Sequence, residues 1–217
     1  MSNEISQLKV SLASICKKIY LESLVKHGEG NVSLRVKDTN ELIITPTGNN
    51  YSKPEPENMV HMKFDGEKID VGLKPSSEFL MHSIIYQNRP KVKCILHTHS
   101  PFAASLAVSH KDLPVIIEEM ALFLGGGVPC TEFASAGTDK VPIESLNAMK
   151  DQNAVLISNH GVLVVGSTSD YCIKTAVIIE KMAKIYINAC LIGEPHVIPD
   201  EKIFHLKEIF RKRYSTV

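Results

Sequence analysis

The chain has 217 residues, 44% of them apolar, and its 24 basic and 24 acidic side chains cancel. That length suffices for one well-filled core, so a single domain over 1–217 is expected, while the even charge excludes the basic footprint of a nucleic-acid binder. The polar start Met1-Ser2-Asn3-Glu4 is unlike a signal peptide, no apolar run is long enough for a bilayer, and five scattered cysteines without a CxxC pair read as reduced thiols. A cytoplasmic protein is expected.

The first predicted element is a helix over Ile5–Val25, with Leu8, Leu12, Ile15 and Ile19 near helical spacing. Gly28-Glu29-Gly30 stops it. Strands are predicted at 32–36, 42–45 and 59–64, the last turning at Asp65-Gly66. A helix over Ser77–Asn88 precedes an apolar strand at 92–99, and another helix begins after Pro101. In the second half, Val115–Ile117 reads as a short strand and Thr138–Met149 as a helix. Ala154–Ile157 and Val162–Val165 form a hairpin, followed by a long helix over Asp170–Leu191. Short links between neighbouring strands favour antiparallel pairing, and neither GxGxxG nor GxxxxGK[ST] occurs. The chain therefore reads as a layered α/β sheet without nucleotide-binding units.

The residues that can carry chemistry fall in the links between these elements. His97-Thr98-His99 ends the strand, and residues two apart on a strand share a face, roughly 6.6 Å apart. Two such imidazoles can converge on one ion, and a third ligand from a distant turn would complete a zinc site. His160, in Asn159-His160-Gly161, is the candidate, although alone it reads first as a turn residue. Glu78 follows Ser76-Ser77 at a helix start. There it either complements the helix dipole or, partly desolvated, serves as a base. The serines either cap the helix or, with its free N–H groups, hold an anion such as a phosphate ester. Gly28 to Asn31 and Thr45 to Gly48 are turn segments whose donors could also meet phosphate oxygens. The pair Glu118-Glu119 reads first as a solvated edge, with a catalytic role as the minority reading.

Taken in order, Gly30-Asn31-Val32-Ser33, Thr45-Pro46-Thr47-Gly48, Pro75-Ser76-Ser77-Glu78, His97-Thr98-His99-Ser100-Pro101 and Asn159-His160-Gly161 resemble the class II aldolase/adducin family. The resemblance runs from the N-terminal helix to near Leu191. It implies a three-layer α/β/α sandwich around a central, mostly antiparallel sheet, and a homotetramer with active sites at subunit interfaces. It also implies a zinc-dependent aldehyde-lyase of carbohydrate metabolism. Such an enzyme cleaves a (deoxy)ketose 1-phosphate, such as L-fuculose 1-phosphate, to dihydroxyacetone phosphate and an aldehyde through an enediolate.

On that resemblance His97, His99 and His160 match the zinc ligands. Glu78 matches the carboxylate that ligates zinc at rest and becomes the acid/base once substrate displaces it. Asn31, Thr47, Gly48, Ser76 and Ser77 match the phosphate pocket, with Gly28 heading its first loop where the family has threonine. Glu119 stands near a tyrosine that aldolases of this family supply across the subunit interface as proton donor. A glutamate there resembles the dehydratases of methylthioribulose 1-phosphate, which makes dehydration through Glu119 the alternative reaction. Two further alternatives are a sugar-phosphate 4-epimerase, which carries Asp at the place of Glu78, and a non-catalytic adducin-like module, which lacks the full histidine set. Tyr214 matches an aromatic tail that closes the aldolase site.

Overall fold

The computed structural model of the chain describes residues 2–135, 137–214 and 216. Its first helix, α1 (Ser2–Leu21), turns Leu12, Ile15, Cys16 and Ile19 inward at i, i+3, i+4 and i+7. It stops four residues earlier than the apolar pattern suggests. Ser23 takes a left-handed conformation (φ 58), and the Leu24 N–H donates back to the Ile19 carbonyl at 3.0 Å, a Schellman-type closure.

Six strands follow in the chain: β1 (Asn31–Arg35), β2 (Glu41–Ile44), β3 (Val60–Lys63), β4 (Cys94–Thr98), β5 (Ala154–Ile157) and β6 (Gly161–Gly166). They form one sheet of order β3-β2-β1-β4-β6-β5, and every neighbouring pair is antiparallel. Alternation along each strand feeds two separate apolar layers. Val32, Leu34, Leu96 and Val164 pack with α1, α3 (Pro101–Val108), α4 (Glu118–Leu124) and α6 (Ser169–Ile192). Ile95, Leu163, Val165 and Val155 pack with α2 (Phe79–Asn88) and α5 (Lys140–Met149) on the other face. The expected three-layer α/β/α sandwich with an antiparallel sheet is therefore present.

Two parts depart from the sequence reading. Val115–Ile117 is not a strand: only an isolated bridge joins Leu113 to Val128, and α4 begins directly after Ile117. Glu118 and Glu119 occupy the first turn of α4, where negative charge suits the helix dipole. Gly125 ends that helix in a left-handed conformation (φ 80). The second departure is a final helix, α7 (Asp200–Tyr214), which packs on α4 through the buried Ile203 and Phe210. A side chain at Gly125 would strike the Phe210 ring.

The topology places the site. The β4 end that carries His97 lies between the first residue of β1 and the start of β6, with Asn31 opposite His97 and Thr98 opposite Val162. Two glycines allow the adjoining loops to close on this end. A Cβ on Gly30 would lie 2.5 Å from the His97 carbonyl oxygen, and one on Gly161 only 2.3 Å from that of Thr98.

Candidate metal centre and active site

His97 is fully buried at the end of β4, and His99 lies just beyond the strand on the same side. Their Nε2 atoms are 2.9 Å apart. The tight turn before β6 brings in the third imidazole: Asn159 is left-handed (φ 54), and the His160 N–H donates to the Ile157 carbonyl at 3.0 Å. His110, at the end of α3, donates from Nε2 to the Asn159 side-chain oxygen at 2.5 Å and ties the turn to that helix. The ring centroids of His97, His99 and His160 are 4.6 to 4.9 Å apart.

Glu78 completes the cluster from the cap position of α2. Its Oε1 is 3.1 Å from His160 Nε2, and its Oε2 is 3.4 Å from His97 Nε2. Ligand atoms of all four residues lie within 4.8 Å of one another. Donors held about 2.0–2.2 Å from a tetrahedral ion stand roughly 3.3–3.6 Å apart, so the set fits a divalent cation. The protonation states agree with that fit. Burial lowers the His97 pKa to about 3, and burial with the neighbouring His160 lowers that of His99, so both imidazoles are neutral donors at neutral pH. His97 Nδ1–H donates to the Val162 carbonyl at 2.9 Å, which leaves its Nε2 lone pair facing the cluster. Burial alone would raise the Glu78 carboxyl. The His160 hydrogen bond, His97 and the Asn31 amide outweigh it and hold the group well below the ordinary carboxylate range.

Of the expected phosphate-pocket residues, Asn31, Ser76 and Ser77 lie beside Glu78. Asn31 Nδ2–H donates to Glu78 Oε2 at 2.6 Å. Ser76 Oγ accepts from the Glu78 N–H at 3.3 Å, and the Ser76 N–H donates to the Thr45 carbonyl at 3.0 Å. Thr47 Oγ1–H donates to the Pro75 carbonyl at 2.7 Å, locking the Thr45–Gly48 turn onto the approach to α2. A side chain on Gly28 would come within 3.2 Å of the Gly48 Cα, and the two glycines line one cleft of about 330 Å³ with Lys26 and Asn49. Ser77 lines a small pocket with Glu78, His160, Gly137 and Thr138. A larger cavity of about 710 Å³, lined by Lys37, Lys93 and the start of α6, lies at the opposite end of β1 and β4 and holds none of the candidate residues.

Two candidates stand apart from the cluster. Glu119, in the first turn of α4, faces Lys181 of α6 at 3.8 Å. Tyr214 stacks on Tyr171 with ring centroids 4.8 Å apart and also touches Phe123 and Phe210. Tyr171 in turn lies against Gly166, the end of β6 away from Gly161, so Tyr214 does not cover the cluster of its own chain. Conversely, Gly137, Thr138 and His82 come close to the site or its supports although their sequence contexts carry no motif, and Ser33, which ends the Gly30–Ser33 motif, supports His82. His82 sits within an apolar helical pattern and reads as core.

A family model described as "Class II Aldolase and Adducin N-terminal domain" matches residues 10–187. A 5-deoxy-D-ribulose 1-phosphate aldolase of Bacillus thuringiensis is 34% identical over 194 residues, covering 89% of this chain and 91% of its own. A 5-methylthioribulose-1-phosphate/5-deoxyribulose-1-phosphate aldolase of Rhodospirillum rubrum is 31% identical, covering 94% and 91%. A solved L-fuculose 1-phosphate aldolase superposes with a TM-score of 0.88 at 32% identity, covering 94% of this chain and 96% of its own. With these matches and a Glu78–His97–His99–His160 cluster able to hold a metal ion, the chain belongs to the class II aldolase and adducin family, as a metal-dependent aldolase.

Proposed function

We propose that the chain is a zinc-dependent aldolase that cleaves a deoxy-ketose 1-phosphate to dihydroxyacetone phosphate and an aldehyde. The observation that carries this reading is the convergence of three imidazoles and one carboxylate beside a rim of amide, hydroxyl and backbone donors. The three relatives described above are aldolases of ketose phosphates by name, two of them for 5-deoxyribulose 1-phosphate. A 5-deoxy-ketose 1-phosphate is therefore the substrate we favour, with L-fuculose 1-phosphate as the close alternative.

His97, His99, His160 and, at rest, Glu78 would hold the zinc ion, which when bound supplies Lewis-acid stabilisation of negative charge at a ketone oxygen. Asn31, Thr47, Gly48, Ser76 and Ser77 bind the phosphate in this reading, with the Gly28 loop closing over Gly48. Glu78 moves the proton at the carbon next to the carbonyl. It returns that proton to the enediolate carbon in cleavage and removes it in synthesis. A second proton, at the aldehyde oxygen, belongs to a group outside this cluster. We assign it to Glu119 of a neighbouring subunit in a homotetramer, because Glu119 falls near the tyrosine that aldolases of this family supply across the interface, while in its own chain it faces Lys181. No Schiff-base lysine is needed.

Product analysis with a panel of ketose 1-phosphates tests the reading. Carbon–carbon cleavage gives dihydroxyacetone phosphate and an aldehyde. A single product lighter by one water would instead assign the chain to the dehydratases.

A further inference from the structure

Behind the cluster, a hydrogen-bonded relay runs from Glu78 through β1 into α2. Each link fixes the direction of the next. The Glu78 carboxylate can only accept, so Asn31 turns its Nδ2–H toward Oε2, at 2.6 Å. The Asn31 carbonyl oxygen must then face the other way, where His82 Nε2 lies 2.5 Å off. An amide oxygen only accepts, so His82 carries its proton on Nε2. Burial keeps this imidazole neutral, lowering its pKa to about 4, and its Nδ1 is left as an acceptor. Ser33 Oγ–H donates to that Nδ1 at 2.6 Å and in turn accepts from the Tyr86 hydroxyl at 2.8 Å. Tyr86 is held by Phe64 stacked at 5.6 Å and by the Arg35 guanidinium 4.7 Å from its ring.

Ser33, His82 and Tyr86 are fully buried, and Asn31 is 2% exposed. A polar chain in an apolar layer is tolerated only when every group is satisfied, and here the satisfaction has one polarity from end to end. Without the His82 donor, the buried Asn31 carbonyl oxygen loses its partner, and the amide is held from the Glu78 side alone.

We propose that His82 is a positioning residue of the aldolase site: with Ser33 behind it, it anchors the Asn31 amide from the side away from the cluster and thereby holds the bearing of the Glu78 carboxylate. The proposal rests on the aldolase reading for its kinetic consequence, not for its geometry. It is tested on His82→Leu, which removes the donor, and His82→Gln, whose amide restores an N–H toward Asn31 and an acceptor toward Ser33. Two quantities are read for each variant: kcat and KM for dihydroxyacetone phosphate release, and the visible d–d absorption bands of the cobalt-loaded protein. The expected result is a loss of roughly 10–100-fold in kcat for His82→Leu with shifted cobalt bands, both restored by glutamine. A His82→Leu protein with wild-type kcat and bands, altered only in thermal midpoint, overturns the proposal, as does a glutamine variant equally impaired. Should His82→Leu not fold, Ser33→Ala carries the same two readouts, and unchanged values there overturn it. A wild-type protein that releases no dihydroxyacetone phosphate sinks the aldolase reading alone. The cobalt bands of the variants then decide the positioning role.

Discussion

Glu78 is asked to do two things, to face a cation and to move a proton, and a substitution can separate them. Glu78→Gln keeps the shape and an oxygen near His160, so metal stays bound through the three histidines while kcat falls by roughly 10²–10⁴-fold. Metal content by elemental analysis beside single-turnover rates checks this, and retained turnover rejects Glu78 as the base. Gly161 makes a different demand. An added methyl would sit 2.3 Å from the Thr98 carbonyl and 2.9 Å from the His99 ring, so Gly161→Ala must push the His160 turn outward. A loss of roughly 10–100-fold in metal affinity is expected by competition titration, and wild-type affinity would contradict the tight approach. His97 and His99 were legible in the sequence because strand alternation alone puts them on one face. Asn31 and Glu78 gained their meaning only through the ordered set of motifs, since a turn asparagine and a first-turn acid are ordinary taken singly. The direct bond between them, across 47 positions of sequence, depends on the approach to α2 docking beside the end of β2, where the Ser76 N–H donates to the Thr45 carbonyl.

At the scale of elements, α7 shows where pattern reading stops. Its apolar residues do recur, with Ile203, Leu206 and Phe210 at i, i+3 and i+7, but charged residues crowd between them and no element is predicted beyond Leu191. The docking surface of α4 decides its structure. Phe210 is 1% exposed, so Phe210→Ala should lower stability by about 3–5 kcal/mol, seen as an earlier urea midpoint. An unchanged midpoint would mean that α7 does not dock as described. Val115–Ile117 failed in the opposite sense. Three apolar residues suggest a strand, yet no neighbouring strand is there to pair with them, and the acidic pair behind them starts α4. The six paired strands were legible because each has a partner whose register matches its apolar face.

For the whole molecule, burying neutral histidines has a consequence for stability. The unfolded chain binds protons near the ordinary histidine value of 6.5, whereas folded His82 resists until about 4 and folded His97 until about 3. The unfolded state therefore holds more protons across that window, and stability falls as pH drops below about 6.5. Glu78 adds loss in the same direction, because its folded carboxyl titrates below its ordinary value of 4.5. For His82 alone the shift corresponds to about 3 kcal/mol. Urea midpoints of the metal-free protein at about pH 7.5 and about pH 4.5 should differ accordingly, with a smaller difference in His82→Gln. Equal midpoints would contradict the buried neutral state.

Among the described residues no helix is long and apolar enough to cross a membrane, and a phosphorylated sugar substrate is consistent with the aldolase relatives. Everything proposed about that substrate depends on the cation that His97, His99 and His160 are arranged to hold. The most direct test follows 5-deoxyribulose 1-phosphate through three preparations of the protein: as purified, stripped by chelator, and stripped then reloaded with one equivalent of zinc. Dihydroxyacetone phosphate and acetaldehyde should appear in the first, vanish in the second and return in the third. Cleavage that continues in the stripped protein would contradict the metal-dependent site at the end of β4.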